Sequence, residues 1–313
     1  MTTPFSFGVN VRTAASAREW CDKARRIEEL GYATLTVPDH LAEMLAPIPA
    51  ALSAANATTR LRVGVNVLNN DLRHPVLVAR EAATADLLTG GRFQLGLGAG
   101  HMKAEYAQAG LTFERGATRV ARLTEAVTIV KALLRGERVT FAGRYYRVTD
   151  HVIHPKPVQQ PHPPLLIGGN GLRLLELAAR EADIVGLTGI TFADGGTRPD
   201  LTGCRSAAVD ERVALIRAAA GPRCEHLVLQ ALVQRVIITK PALEDRRAAA
   251  ADFARAQLTA DEALGSPFTL IGSVEQLVDL LQARRERWGI SSYTIFEPAS
   301  ELLAPVVARL STR

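Results

Sequence analysis

Apolar residues recur along this chain in two alternating rhythms. Short, nearly continuous apolar runs stand at residues 5–11 (FSFGVNV), 33–37 (ATLTV), 61–68 (LRVGVNVL), 93–97 (FQLGL), 165–167 (LLI), 183–187 (DIVGL), 227–233 (LVLQALV) and 292–296 (SYTIF). Runs of this length, bounded by turn residues, read as strands buried on both faces. Between them the spacing becomes helical. Ser16 opens a helix through Leu30, with Gly31 as the residue that ends it. Pro75 sits at a helix start, where its missing N–H costs nothing, and Val78, Ala82, Ala85 and Leu88 then share one face. Residues 47–58, 115–135 and 274–288, and a stretch from Ser206, read as further helices. Eight strands in strict alternation with helices predict an α/β fold, a (β/α)8 TIM barrel with insertions, as a single domain over residues 1–313. The predicted insertions are a hairpin at 139–148 turning at Ala142 and Gly143, a Pro-rich connector at 155–164, a mobile loop at 189–203 and a helix near 242–256.

Composition narrows the class. Hydrophobic residues make up 47% of the 313, enough for a large core rather than a disordered chain. Lys and Arg exceed Asp and Glu by 37 to 32, and the arginines are scattered over amphipathic segments, so a nucleic-acid stripe is not predicted. The three cysteines, Cys21, Cys204 and Cys224, form no C-x-x-C pair, and no His and carboxylate set has metal spacing. The first ten residues lack the basic-then-apolar pattern of a signal peptide, and no apolar run reaches the roughly 18 residues of a spanning helix. The expectation is a cytoplasmic protein with no membrane or nucleic-acid partner and no metal.

The polar oddities fall at strand C-termini, where barrel enzymes place their sites. The fourth strand exits through Gly96-x-Gly98-x-Gly100 to His101. A dinucleotide fingerprint needs G-x-G-x-x-G after the first strand of its unit, so that reading is weak here. A tight strand exit and clearance for a flat ligand both remain open. Asp39-His40 ends the second strand, either as a base oriented by its neighbouring carboxylate or as a helix cap beside a bystander. Asn66, Asn69 and Asn70 end the third strand, as readers of a heterocycle edge or as turn residues. Gly168, Gly169, Asn170 and Gly171 lead into a helix, whose first N–H groups suit a phosphate. His151 and His154 read as solvated loop residues. There is no H-E-x-x-H, G-x-S-x-G or S-x-x-K pattern.

Taken together, these segments resemble the bacterial-luciferase-like superfamily, and more closely an actinobacterial subgroup of its branch that uses the deazaflavin coenzyme F420. The resemblance rests on the helix–GGR–strand–GxG segment at 79–100, on PKPVQQPHPPLLIGGNG at 155–171, on PDHL at 38–41, on VLNNDLRHPVLVARE at 67–81 and on ARRERWGISSYTIF at 283–296. It implies an oxidoreductase that moves a hydride between F420 and a small organic substrate. Under it, Asp39 would contact the deazaflavin and His40 would lie near the reactive carbon. A cis peptide between Asn66 and Val67 would back the ring. Asn69, Ala99 and Gly100 would touch the ring or its side chain, and Gly168, Gly169, Asn170 and Gly171 would hold the phosphate. His40 is the first candidate proton carrier and His101 the second. His101 stands where the sugar-phosphate dehydrogenase of the superfamily has a carboxylate, so the same substrate does not follow. The alternatives are an FMN-dependent monooxygenase of the same fold and a non-catalytic F420 carrier. Relatives are often dimers, so a homodimer is expected by analogy.

Overall fold

A computed structural model describes residues 4–311 apart from 194, 195 and 256. Met1, Thr2 and Thr3 of the leader reading, and parts of the 189–203 and 242–256 insertions, therefore lie outside the described residues. Eight parallel strands close on themselves: β1 (Ser6–Asn10), β2 (Thr34–Val37), β3 (Arg62–Val65), β4 (Phe93–Gly98), β5 (Leu165–Gly169), β6 (Ile184–Leu187), β7 (Val228–Leu232) and β8 (Ile290–Phe296). Their order around the sheet is β3-β2-β1-β8-β7-β6-β5-β4, and the pairing of Val63 with Phe93 and Gly64 with Gln94 joins β3 back to β4. This is the closed α/β barrel that the alternating pattern predicts. β4 is buried at every position, because the barrel interior lies on one side and the helix ring on the other.

The outer helices follow the strands in turn: α1 (Ala17–Glu29), α2 (Pro47–Ala57), α3 (Pro75–Leu88), α4 (Gly116–Leu134), α5 (Leu172–Glu181), α6 (Ser206–Ala220), α7 (Val274–Trp288) and α8 (Ser300–Leu310). Local chemistry sets their ends. The Ser16 hydroxyl accepts from the Glu19 N–H at 3.1 Å, and Gly31 follows the end of α1 with φ +86°. Ser273 and Gln276 form a capping box on α7. No helix among the described residues is long and apolar enough to cross a membrane.

The insertions depart from the sequence reading in detail. The hairpin strands are Val139–Ala142 and Arg147–His151, so the turn is Gly143 to Tyr146 and His151 ends a strand rather than lying in a loop. The Glu125 carboxylate accepts from the N–H groups of Arg144, Tyr145 and Tyr146 at 2.8, 2.9 and 3.1 Å and so caps that turn. In the 189–203 insertion, Thr191–Ala193 pairs antiparallel with Arg198–Asp200. Between β7 and α7 the chain adds a parallel strand pair, Arg235–Ile238 with Thr269–Gly272, and two helices, Leu243–Ala254 and Ala260–Gly265.

Candidate active site

The strand C-termini open onto a cavity of about 700 Å³. Every barrel strand, or the residue just past it, contributes to its wall, from Asn10 at the end of β1 to Phe296 at the end of β8. The sequence-predicted residues Asp39, His40, Asn66, Val67, Asn69, Ala99, Gly100, His101, Gly168, Gly169, Asn170 and Gly171 all line it. His151 and His154 do not.

His40 is oriented by a carboxylate, but not by its neighbour Asp39. Its Nδ1 lies 2.8 Å from Oε1 of Glu105, a side chain only 6% exposed. Glu105 sits on the short helix Lys103–Gln108, just past the glycine strand. With Glu105 as an acceptor-only carboxylate, the shared hydrogen stays on Nδ1 and Nε2 is left as the working nitrogen. Asp39 is engaged elsewhere. Arg73 donates to both of its oxygens, at 2.5 and 3.1 Å, and the Asn69 N–H donates at 2.9 Å.

His101 packs edge-on against His40, with ring centroids 5.3 Å apart, and stacks on Phe192 of the 189–203 insertion at 4.9 Å. His101 is an exposed residue that lines the cavity. Loss of solvent, reinforced electrostatically by the neighbouring His40 and Arg119, pushes its pKa down to about 4. His101 is therefore neutral near pH 7 and offers a hydrogen bond rather than a readily released proton.

The ends of the third and fourth strands add the apolar Val67 and Ala99 to the cavity lining beside Asn66 and Asn69. The Asn66–Val67 peptide bond is cis, as the resemblance implies. The glycines of β4 serve this wall first. A Cβ on Gly96 would stand 2.2 Å from the Val65 carbonyl oxygen, and one on Gly98 would stand 2.5 Å from Cγ2 of Val67. Their smallness makes room for the end of β3, and Val67 lines the cavity together with Gly98, Ala99 and Gly100. Gly100 (φ +72°) would drive a Cβ to 2.1 Å from the Tyr106 hydroxyl. That hydroxyl lies within hydrogen-bonding distance of Asn69 Oδ1 (3.1 Å) and Asp71 Oδ2 (3.0 Å), and Arg122 pairs with Asp71 at 2.8 Å. Asn69 also accepts from the Asp71 N–H at 3.1 Å, so its carbonyl oxygen does turn chemistry while the residue lines the cavity.

At the far strand exit, Gly171 is the N-cap of α5 and supplies no side-chain cap, which leaves first-turn N–H groups for a ligand. Asn170 is 7% exposed, and neither its Oδ1 nor its Nδ2 has a hydrogen-bond partner among the described residues. Asn170 thus stands at the cavity wall as a buried amide with both polar atoms unpaired, which is costly unless a partner is supplied.

Comparison with known proteins adds to this geometry. The family model described as luciferase-like monooxygenase matches residues 1–292. The chain belongs to this family. Among curated luciferase-like relatives, the F420-dependent glucose-6-phosphate dehydrogenase of Microbacterium testaceum is 34% identical over 192 residues, which are 58% of this chain and 56% of that protein. The FMNH(2)-dependent dimethylsulfone monooxygenase of Pseudomonas putida is 32% identical over 127 residues, 41% of this chain and 35% of that one. The chain spans about half the length of the curated relatives it matches. The solved coenzyme F420-dependent tetrahydromethanopterin reductase of Methanopyrus kandleri superposes with a TM-score of 0.77 over 99% of this chain and 100% of that one, at 18% identity, and so shares the fold.

Within this luciferase-like barrel, several cavity residues escape sequence reasoning: Arg12, Glu105, Arg119, Phe192 and Gln230. Glu105 left one trace, as a carboxylate four residues after His101. Phe192 left none, because its insertion carries no periodicity.

Proposed function

We propose that this protein is an oxidoreductase that holds the deazaflavin F420 in the barrel cavity and exchanges a hydride between it and an organic substrate. The observation that carries the reading is the His40–Glu105 pair, set in a cavity that also contains an apolar Val67 wall and an unpaired amide at a helix N-terminus. These parts fit the three regions of such a coenzyme. Val67, with Ala99 and Gly100 beside it, would back the ring. Asn69, positioned by Asp39, would contact the ring's edge or side chain. Gly168, Gly169, Asn170 and Gly171 would take the phosphate on the first turn of α5, which suits an anion.

A bound deazaflavin supplies two-electron hydride chemistry, since it has carbon where a flavin has its reactive nitrogen. The chain's own work is to position, exclude water and move one proton. His40 Nε2 takes or delivers the proton that accompanies hydride movement, and Glu105 supports the imidazolium formed. His101, held neutral, donates or accepts a hydrogen bond beside it. The sugar phosphate named for the curated relatives is not assumed as the substrate here. The FMN monooxygenase reading draws on relatives of that kind, whereas the F420-dependent enzymes among the relatives match longer stretches.

The test is turnover. Reduced or oxidised F420 is incubated with a panel of ketones, alcohols and enones, and the change in coenzyme absorbance is followed for the wild type, His40→Ala and His101→Ala. Coenzyme turnover that falls roughly 10²–10⁴-fold in His40→Ala supports the assignment. Normal turnover in both variants removes it, and F420 binding with no turnover on any acceptor favours the carrier.

A further inference from the structure

The coenzyme reading occupies the β2–β5 side of the cavity and leaves the β1, β7 and β8 side without a role. Arg12, Gln230, Gln234 and Phe296 stand there. The two glutamines are neutral and already engaged. Gln230 Oε1 accepts from the Asn66 amide at 3.4 Å, and Gln234 donates to the Leu232 carbonyl at 3.2 Å. Arg12 differs. Its guanidinium carbon lies 4.5 Å from the centroid of the Phe296 ring. Its side chain makes no hydrogen bond or ion pair with any described residue.

The carboxylates of the cavity cannot neutralise it. Asp39 is held by Arg73, and Glu105 by His40. Arg119, another arginine of the wall, is tied down by the Ala99 carbonyl at 3.2 Å and by the Glu114 carbonyl. A guanidinium resting one face on an aromatic ring is restrained in orientation, and its N–H edge stays open to a planar acceptor. Arg12 is exposed at the cavity mouth, so an anion can reach it from solvent.

We propose that Arg12 is the receptor for an anionic group on the substrate, a carboxylate or a phosphate, and that the substrates are organic anions. This rests on the coenzyme-side reading above for the claim that the β1, β7 and β8 side receives substrate. The Arg12–Phe296 pair then sets specificity, while the His40 pair does the proton chemistry.

The experiment compares benzoate, phenyl phosphate and neutral benzamide by calorimetric titration, on coenzyme-free and on F420-loaded protein, for the wild type, Arg12→Gln and Arg12→Lys. Because Arg12 is exposed, both variants should fold. The expected result is a preference of about tenfold or more for at least one anion over benzamide. Arg12→Gln abolishes that preference, Arg12→Lys retains part of it, and F420 affinity is unchanged. Which anion wins identifies the group. Equal affinity for all three probes in the wild type, or an undiminished preference in Arg12→Gln, overturns the proposal. So does a fall in F420 affinity with probe binding unaltered, which would assign Arg12 to the coenzyme. Failure of the wild type to bind F420 contradicts the proposed function instead, and the coenzyme-free titration still decides on Arg12.

Discussion

At the scale of single residues the site depends on which carboxylate meets which imidazole. Adjacency in sequence suggested Asp39 as the partner of His40, and the fold supplies Glu105 instead. Neighbouring residues past a strand end need not point the same way, and sequence carries no sign of the turn that brings residue 105 back. As a positioning residue, Glu105 should affect rate more than binding. Glu105→Gln keeps the hydrogen bond but loses the charge, so kcat should fall roughly 10–100-fold with F420 affinity and substrate KM little changed. A loss confined to KM would contradict the role. His101 gives a second residue-scale test. With its pKa pushed down to about 4 from an ordinary 6.5, the native state refuses a proton that the unfolded chain accepts between those values. Stability should therefore fall as pH drops through about 6.5 toward 4 and be regained as pH rises. NMR titration should place its midpoint well below the ordinary histidine value, and His101→Gln should flatten the loss of stability between neutral pH and about pH 5. A midpoint at or above 6.5 would refute the account of its environment.

At the scale of elements, β3 and β4 act as one unit. The glycine pattern of β4 was visible in the sequence, but its purpose was not. It reads as clearance for a ligand; the contacts show that Gly96 and Gly98 also make room for β3 and Val67, while Gly98 and Gly100 line the cavity. A Cβ at residue 96 meets backbone, which cannot rotate away. Gly96→Ala should cost about 1–3 kcal/mol in chemical denaturation. An unchanged denaturation midpoint would show that the strands can part at no cost. The eight barrel strands and seven of the outer helices were legible because doubly buried strands form apolar runs and amphipathic helices keep their period. Arg235–Ile238 was missed because it follows β7 after only Val233 and Gln234, with no Gly or Pro to mark a turn. α8 was missed because Pro305 inside it reads as a breaker.

At the scale of the whole molecule, the closed barrel gathers residues from all eight strand ends into one cavity, and this explains why scattered sequence signals converge on a single site. Asp39, the Asn66–Val67 step, the glycine exit and the Gly168–Gly171 turn are each ambiguous in isolation. Barrel closure places them around a common volume of about 700 Å³. The arginines of the cavity wall had no such signal, because arginine is also the commonest way this chain solvates its helices. The central claim is the identity of the coenzyme, and it is tested most directly by titrating the purified, coenzyme-free protein with F420 and with FMN and following the spectrum of each. The account predicts saturable F420 binding at one site per chain, weakened by Asn170→Ala, with FMN binding much weaker. Tight FMN binding with none for F420 would contradict it.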